Sequence, residues 1–331
     1  MSPSQQLPLT AALGVLSHTR LRNYRTFFGA ASDREAYGLY AWNEAVSASF
    51  SRILGTLEIA MRNQFHGAMS KRFGATGTSG SRDWFNHVNL SYKSRNAVTD
   101  VTHRKQRVGR NNQLVPKNPM PSPDDVVSKL TFGFWPHLLD VQDDLNGQAI
   151  DWADIIVDVL PGHRQRSASY WKGQKQQDAL FARIDFCNSL RNRIAHHEPI
   201  WKAGPLLDEM RSRQNVRPTV LQSAPASPSE ALARLSLSYD RTLELLEWFS
   251  KDLAMLVRDT EAHNRFLALN THAALADFRR HAGLSRSLAI ELTDYRKLRK
   301  LKAEFRNIRK THGAASVRYA GLQVGYFVAL A

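Results

Sequence analysis

The chain has 331 residues, 43% hydrophobic and 23% charged. That is the mix of a globular protein of one or two domains, not of a disordered or fibrous chain. Lys and Arg outnumber Asp and Glu by 45 to 30, for a net charge of +15, and only one cysteine, Cys187, is present. An intrachain disulfide and a multi-cysteine metal site are therefore excluded, and a reducing cytoplasm is the expected setting.

The excess charge is carried by 32 arginines against 13 lysines. Arg presents a planar fork to phosphate and stacks on bases, so the expected polyanion is nucleic acid rather than a membrane surface. No signal peptide is expected, because the first twenty residues lack a basic region ahead of their short apolar stretch. No apolar run approaches 18 residues, so no membrane span is expected either.

In chain order, residues 8–28 read as a helix with Leu13, Leu16 and Leu21 on one side. The strongest periodicity lies in 34–73, where Val46, Phe50, Ile53, Leu57, Met61 and Phe65 recur at intervals of three and four, the mark of an amphipathic helix. Small residues at 74–80 end it. Residues 102–123 are basic, then Pro-rich, and read as an exposed loop. A short apolar helix is expected from Asp124 through KLTFGFWPHLLDVQ, and another over 172–198. Residues 213–229 read as a second loop, followed by a helix from Glu230 to Arg258.

The last seventy residues differ in character. Between Arg279 and Lys310 there are 11 basic and 3 acidic residues, and Tyr295, Leu298, Leu301, Phe305 and Ile308 form one apolar stripe. That spacing predicts a basic helix presenting Arg299, Lys300, Lys302, Arg306 and Arg309 to RNA phosphates; a merely solvated face is the plainer alternative. The end, SVRYAGLQVGYFVAL, has the composition of one or two short strands.

The stretch at 189–201, SLRNRIAHHEPIW, concentrates phosphate-directed groups at a helix end. Chance alone supplies about one Arg-(four residues)-His pair in such a chain, and others occur at Arg82/His87 and Arg258/His263. Context separates this one. On an ideal helix Leu180, Ile184, Cys187 and Ile194 fall within about 80°, and Arg191 falls in the same arc. A guanidinium on an apolar face is costly unless it is paired or serves a site. A buried carboxylate partner for Arg191, with histidines merely decorating a helix end, is the plain alternative. Asn192 and His196 share another face, and Pro199 ends the helix.

The chemistry such groups offer is metal-free RNA cleavage: a histidine moves protons, Arg191 stabilises the charged transition state, and Asn192 orients the histidine or the phosphate. Arg191 and His196 point about 140° apart on an ideal helix, so two copies combining their groups make a better site than one. His196, His197 and Glu198 are adjacent and do not match a metalloprotease spacing, so no metal and no cofactor are expected.

RNRIAHHEPIW resembles the Abi-like (abortive infection, AbiD/AbiF type) proteins of bacteria, of the HEPN superfamily of helical ribonucleases. LSHTRLRNY, LYAWNEAVSASFSRILGTLEIAMRNQFH and LTFGFWPHLL agree in the same order, over about residues 10–250. The superfamily signature is Arg, four to six residues, then His, often R-N-x-x-x-H. The resemblance implies an all-α fold, a HEPN-type helical bundle with helical insertions, expected over 1–258; the change in composition, outside the resemblance, marks 259–331 as a basic C-terminal extension expected to bind RNA. It also implies dimerisation through the motif helix and ribonuclease activity in phage defence.

Carried over by position, Arg191, Asn192 and His196 match the signature. His197 and Glu198 match a further H-H-x extension. Glu58, Arg62 and Asn63 match an E-x-x-x-R-N element on a neighbouring helix that supports the site, although Glu58 and Arg62 alone read as a helix ion pair. Arg306, Asn307 and His312 repeat an R-N…H pattern outside the resemblance, as chance explains.

Two functions follow as expectations. One is an endoribonuclease toxin acting as a homodimer. The other is a non-catalytic RNA-binding protein holding a structured or guide-like RNA. The partners implied are RNA, a second copy of the chain and an antitoxin, with no membrane. A DNA-binding regulator is not favoured, because no helix-turn-helix pattern is present.

Overall fold

The computed structural model describes residues 9–74, 81–108, 111–212, 217–281, 314–319 and 322–328. The predicted basic helix, with Arg299, Lys300, Lys302, Arg306 and Arg309, lies outside them, as does the Arg306/Asn307/His312 pattern.

The N-terminal helical segment divides at Ser17, whose φ is 73°, into α1 (Leu9–Leu16) and α2 (His18–Phe28). The periodic segment forms α3 (Asp33–Arg72), about 60 Å long at helical rise. Ser32 caps it, accepting from the Glu35 amide, and acidic Asp33 and Glu35 favour its positive end. All six residues of the expected stripe, Val46 to Phe65, are buried.

The region expected as a loop, 102–123, instead begins with a hairpin. Following α4 (Tyr92–Thr102), β1 (His103–Val108) pairs antiparallel with β2 (Asn111–Pro116). β1 is polar on both faces up to Val108, and the apolar residues of β2 are the consecutive Leu114, Val115 and Pro116, so the period-two signal that reveals a half-buried strand is absent. The apolar helix expected from Asp124 divides into α5 (Pro123–Lys129) and α6 (Phe134–Leu138). Next come α7 (Trp152–Val159), α8 (Ala168–Trp171) and the motif helix α9 (Gln174–Ala195). Within the second expected loop, 213–229, lies β4 (Val220–Gln222), which pairs with β3 (Leu206–Leu207) ahead of it. The helix expected to run unbroken to Arg258 breaks at Ser250 into α10 (Pro228–Phe249) and α11 (Lys251–Arg258). Ser250 is extended, and its hydroxyl accepts from the Leu253 amide, capping α11.

Two further helices, α12 (Glu261–Leu269) and α13 (His272–His281), pack on α3, as do α2, α7, α9 and α10. Trp42 Nε1 donates to the Leu269 carbonyl at 2.8 Å, and Arg279 pairs with Glu35 at 2.7 Å, so residues assigned by sequence to the C-terminal extension join the helical body. At the end, β5 (Ala314–Tyr319) and β6 (Leu322–Val328) form an antiparallel pair, as composition suggested. Among the described residues the architecture is all-α with three two-stranded ribbons, and no helix is long and apolar enough to cross a membrane.

Three histidines packed into this body, His66, His163 and His263, are each held below the ordinary imidazole value by burial. Between the folded and unfolded values the unfolded chain binds more protons, so stability is full above about pH 6.5 and falls as pH drops below it. The carboxylates held low by their arginine partners, such as Asp158 and Asp140, lose their contributions only in the more acidic carboxylate range. The urea midpoint is therefore expected to be lower at pH 5 than at pH 7.5; a midpoint that rises or stays level would contradict it.

Candidate functional site

The motif helix ends in a motif more often built around glycine. The His197 amide donates to the Ile194 carbonyl at 3.0 Å, and the Glu198 amide to the Arg193 carbonyl at 2.8 Å. These are the paired bonds of a Schellman stop, and His197 sits at its left-handed position with φ 53°. Glycine is usual there, because an L side chain in that conformation costs roughly 1–2 kcal/mol.

The turn that follows is fastened to α2, α3 and its own helix. Arg20 Nη1 donates to the His197 carbonyl at 2.8 Å, and the buried Asn43 accepts the Ile200 amide at 3.0 Å. Arg193 Nη2 donates to the carbonyls of Pro199 and Lys202, 2.8 Å each, and Lys202 Nζ reaches Asn23 at 3.1 Å. Trp201 is fully buried among Tyr24, Phe27 and Phe28 of α2. The HHEPIW segment is thus a docked turn with its polar groups outward.

Of the signature residues, Arg191 is half-buried, and Asn192 and His196 are exposed. Arg191 Nη1 donates to Asn192 Oδ1 at 3.4 Å, and Asn192 Nδ2 to Asn188 Oδ1 at 3.5 Å. The alternative that Arg191 pairs with a buried carboxylate is not realised: among the described residues it has no acidic partner. The buried arginine of this helix is Arg183, which sequence reading passed over. Its guanidinium binds Glu209 and Glu244 and lies 4.9 Å from the Trp248 ring centre. Arg183 falls only about 60° from Leu180 on a helical wheel, which was the available signal.

Helical geometry persists through Ala195, with His196 as the cap residue at φ −92° and ψ 10°. The wide divergence of Arg191 and His196 expected on a regular helix is therefore kept. Glu198 faces Arg193 at 3.8 Å, and His197 Nδ1 lies 3.9 Å from the Glu44 carboxylate of α3. Glu44, Arg20 and Asn43 are contributors that sequence reading did not single out, although Asn43 and Glu44 lie in the WNE of the resembling stretch.

Glu58, Arg62 and Asn63 are placed differently. The expected Glu58–Arg62 ion pair is not formed; Arg62 Nη1 donates instead to the Ser128 carbonyl at 2.9 Å, tying α3 to α5. Along α3 the three lie about 21–29 Å beyond Glu44, and no hydrogen bond or ion pair joins them to the motif residues.

Cys187, one turn before Arg191, is fully buried with its thiol pushed up to about 12, which leaves it a packing residue. Among the described residues no group of three or more His, Cys, Asp or Glu side chains converges as a metal site. Comparison with protein-family models, with curated proteins and with solved structures finds no match for the chain.

Proposed function

We propose that the chain is a metal-independent endoribonuclease of the HEPN, Abi-like type, acting as a cytoplasmic homodimer in abortive-infection defence against phage. The observation that carries this reading is Arg191: a half-buried arginine with no acidic partner among the described residues, beside Asn192 and ahead of His196, at the end of a helix whose following turn is firmly docked. Arg191 stabilises the phosphorane charge, Asn192 orients a neighbouring group, and His196 moves a proton. The divergence of Arg191 and His196 supports a site assembled from two copies about a two-fold axis. The test is cleavage of total RNA by the purified protein in the presence of EDTA. Cleavage that chelation stops would overturn the metal-free mechanism, and no cleavage under any condition would overturn the enzyme itself.

The hairpin β1–β2 favours the second reading, a non-catalytic RNA holder. No Asp or Glu occurs between Asp100 and Asp124, while Arg104, Lys105, Arg107, Arg110 and Lys117 do. Arg104, Lys105 and Arg107 are exposed, and the ribbon is pinned at its base by the Lys117 amide on the Thr102 carbonyl at 2.9 Å. A two-stranded ribbon with so little apolar surface gains almost nothing by burial, so phosphate contact is the role its composition suits. Replacing Arg104, Lys105 and Arg107 by Gln is expected to flatten the log–log salt dependence of RNA affinity by up to about 2 for single strands. Anisotropy titrations at several salt concentrations read this directly. An unchanged slope would make the ribbon a solvated arm.

A further inference from the structure

His197 occupies a backbone position suited to glycine, and among the described residues nothing structural compensates for a histidine there. Its side chain is 71% exposed, so packing gains little. Its approach to Glu44, at 3.9 Å, is an exposed pair of the kind that contributes little stability. Its carbonyl, the group Arg20 holds, belongs to the backbone and would be present with any residue. A strained position retained without structural return, next to a proposed site, points to chemistry.

We propose that His197 is the second proton-transfer group of the site, complementing His196, with Glu44 as the positioning residue beside its ring. This rests on the ribonuclease reading above. RNA cleavage through the ribose 2′-hydroxyl needs two such groups. One imidazole takes the 2′-OH proton as O2′ bonds to phosphorus. The P–O5′ bond breaks, and an imidazolium gives its proton to the departing O5′. The products are a 2′,3′-cyclic phosphate and a 5′-hydroxyl, and the two histidines finish with their protonation states exchanged. The left-handed residue breaks the helical path after His196 and brings the second ring to Glu44, in a turn fixed by Arg20 and Asn43.

The test exploits the strain. Gly and Asn both suit a left-handed residue, and neither transfers a proton at neutral pH. His197→Gly and His197→Asn should therefore melt at the wild-type temperature or up to about 2–4 °C above it. A structural role for His197 predicts unchanged or improved activity in both. The proposed role predicts that cleavage of total RNA falls about 10²–10⁴-fold per folded molecule in both. Variants that melt normally and cleave within about threefold of wild type would overturn the assignment while leaving the enzyme reading intact. A wild-type protein that cleaves no RNA would instead bring down the enzyme reading, and this assignment with it.

Discussion

Arg191→Ala and His196→Ala are each expected to abolish RNA cleavage with little loss of stability. His196 is exposed, and Arg191 is half-buried with no acidic partner among the described residues, so neither substitution empties a core or strands a charge. Loss of a proton-transfer group alone lowers the rate about 10²–10⁴-fold, and loss of the charge-stabilising arginine is expected to act as strongly. The two variants also test the assembly. If each site takes its arginine from one copy and its histidine from the other, a mixed dimer of the two variants rebuilds one intact site. Co-refolding equal amounts should then restore about a quarter of wild-type activity. If every site lies within one chain, the mixture stays inactive. Light scattering that finds an active monomer at assay concentration would argue the same way.

The long helix α3 was legible because its apolar residues repeat over ten turns and its caps are conventional: Ser32 ahead, Lys71 and Arg72 at the end. The breaks at Ser17 and Ser250 were not, because apolar spacing continues across both and one serine sets each boundary. The hairpin was hidden because a polar first strand and consecutive apolar residues in the second erase alternation. At the site, the motif and its helix could be read from spacing, while its supports could not. Arg20, Asn43 and Glu44 reach the turn from 153 or more residues away in the chain, and their contacts depend on how α2 and α3 pack. A guanidinium buried beside the apolar arc of α9 is indeed paired, as the cost of burying it requires. That guanidinium belongs to Arg183 rather than to Arg191.

Trp201→Ala should be the most destabilising single change near the site. The indole is fully buried, with ring centres of Phe27, Phe28 and Tyr24 at 4.4, 4.8 and 5.5 Å. Truncating a buried Trp to Ala typically costs about 3–5 kcal/mol, a large share of the 5–15 kcal/mol that holds a typical folded domain. The change also removes the apolar anchor that seats the HHEPIW turn on α2, so cleavage should fall by more than the folded fraction accounts for. Trp201→Phe retains part of the aromatic packing and should cost less. Urea unfolding, read alongside cleavage per folded molecule, separates the two effects. A loss below about 1 kcal/mol for the alanine variant would mean that the turn is seated by its hydrogen bonds instead.

The β1–β2 ribbon has a practical consequence. A strand pair that hides no core opens locally for little free energy, and local opening is what a protease needs. Trypsin cuts after Lys and Arg, and Arg104, Lys105 and Arg107 lie in a row along the exposed first strand. The same bonds would be shielded whenever RNA lies along that strand. The rate of nicking at 104–107 would then gauge the occupancy of this one arm, and following it across RNA and salt concentrations would yield an isotherm for the arm separate from that of any other basic segment.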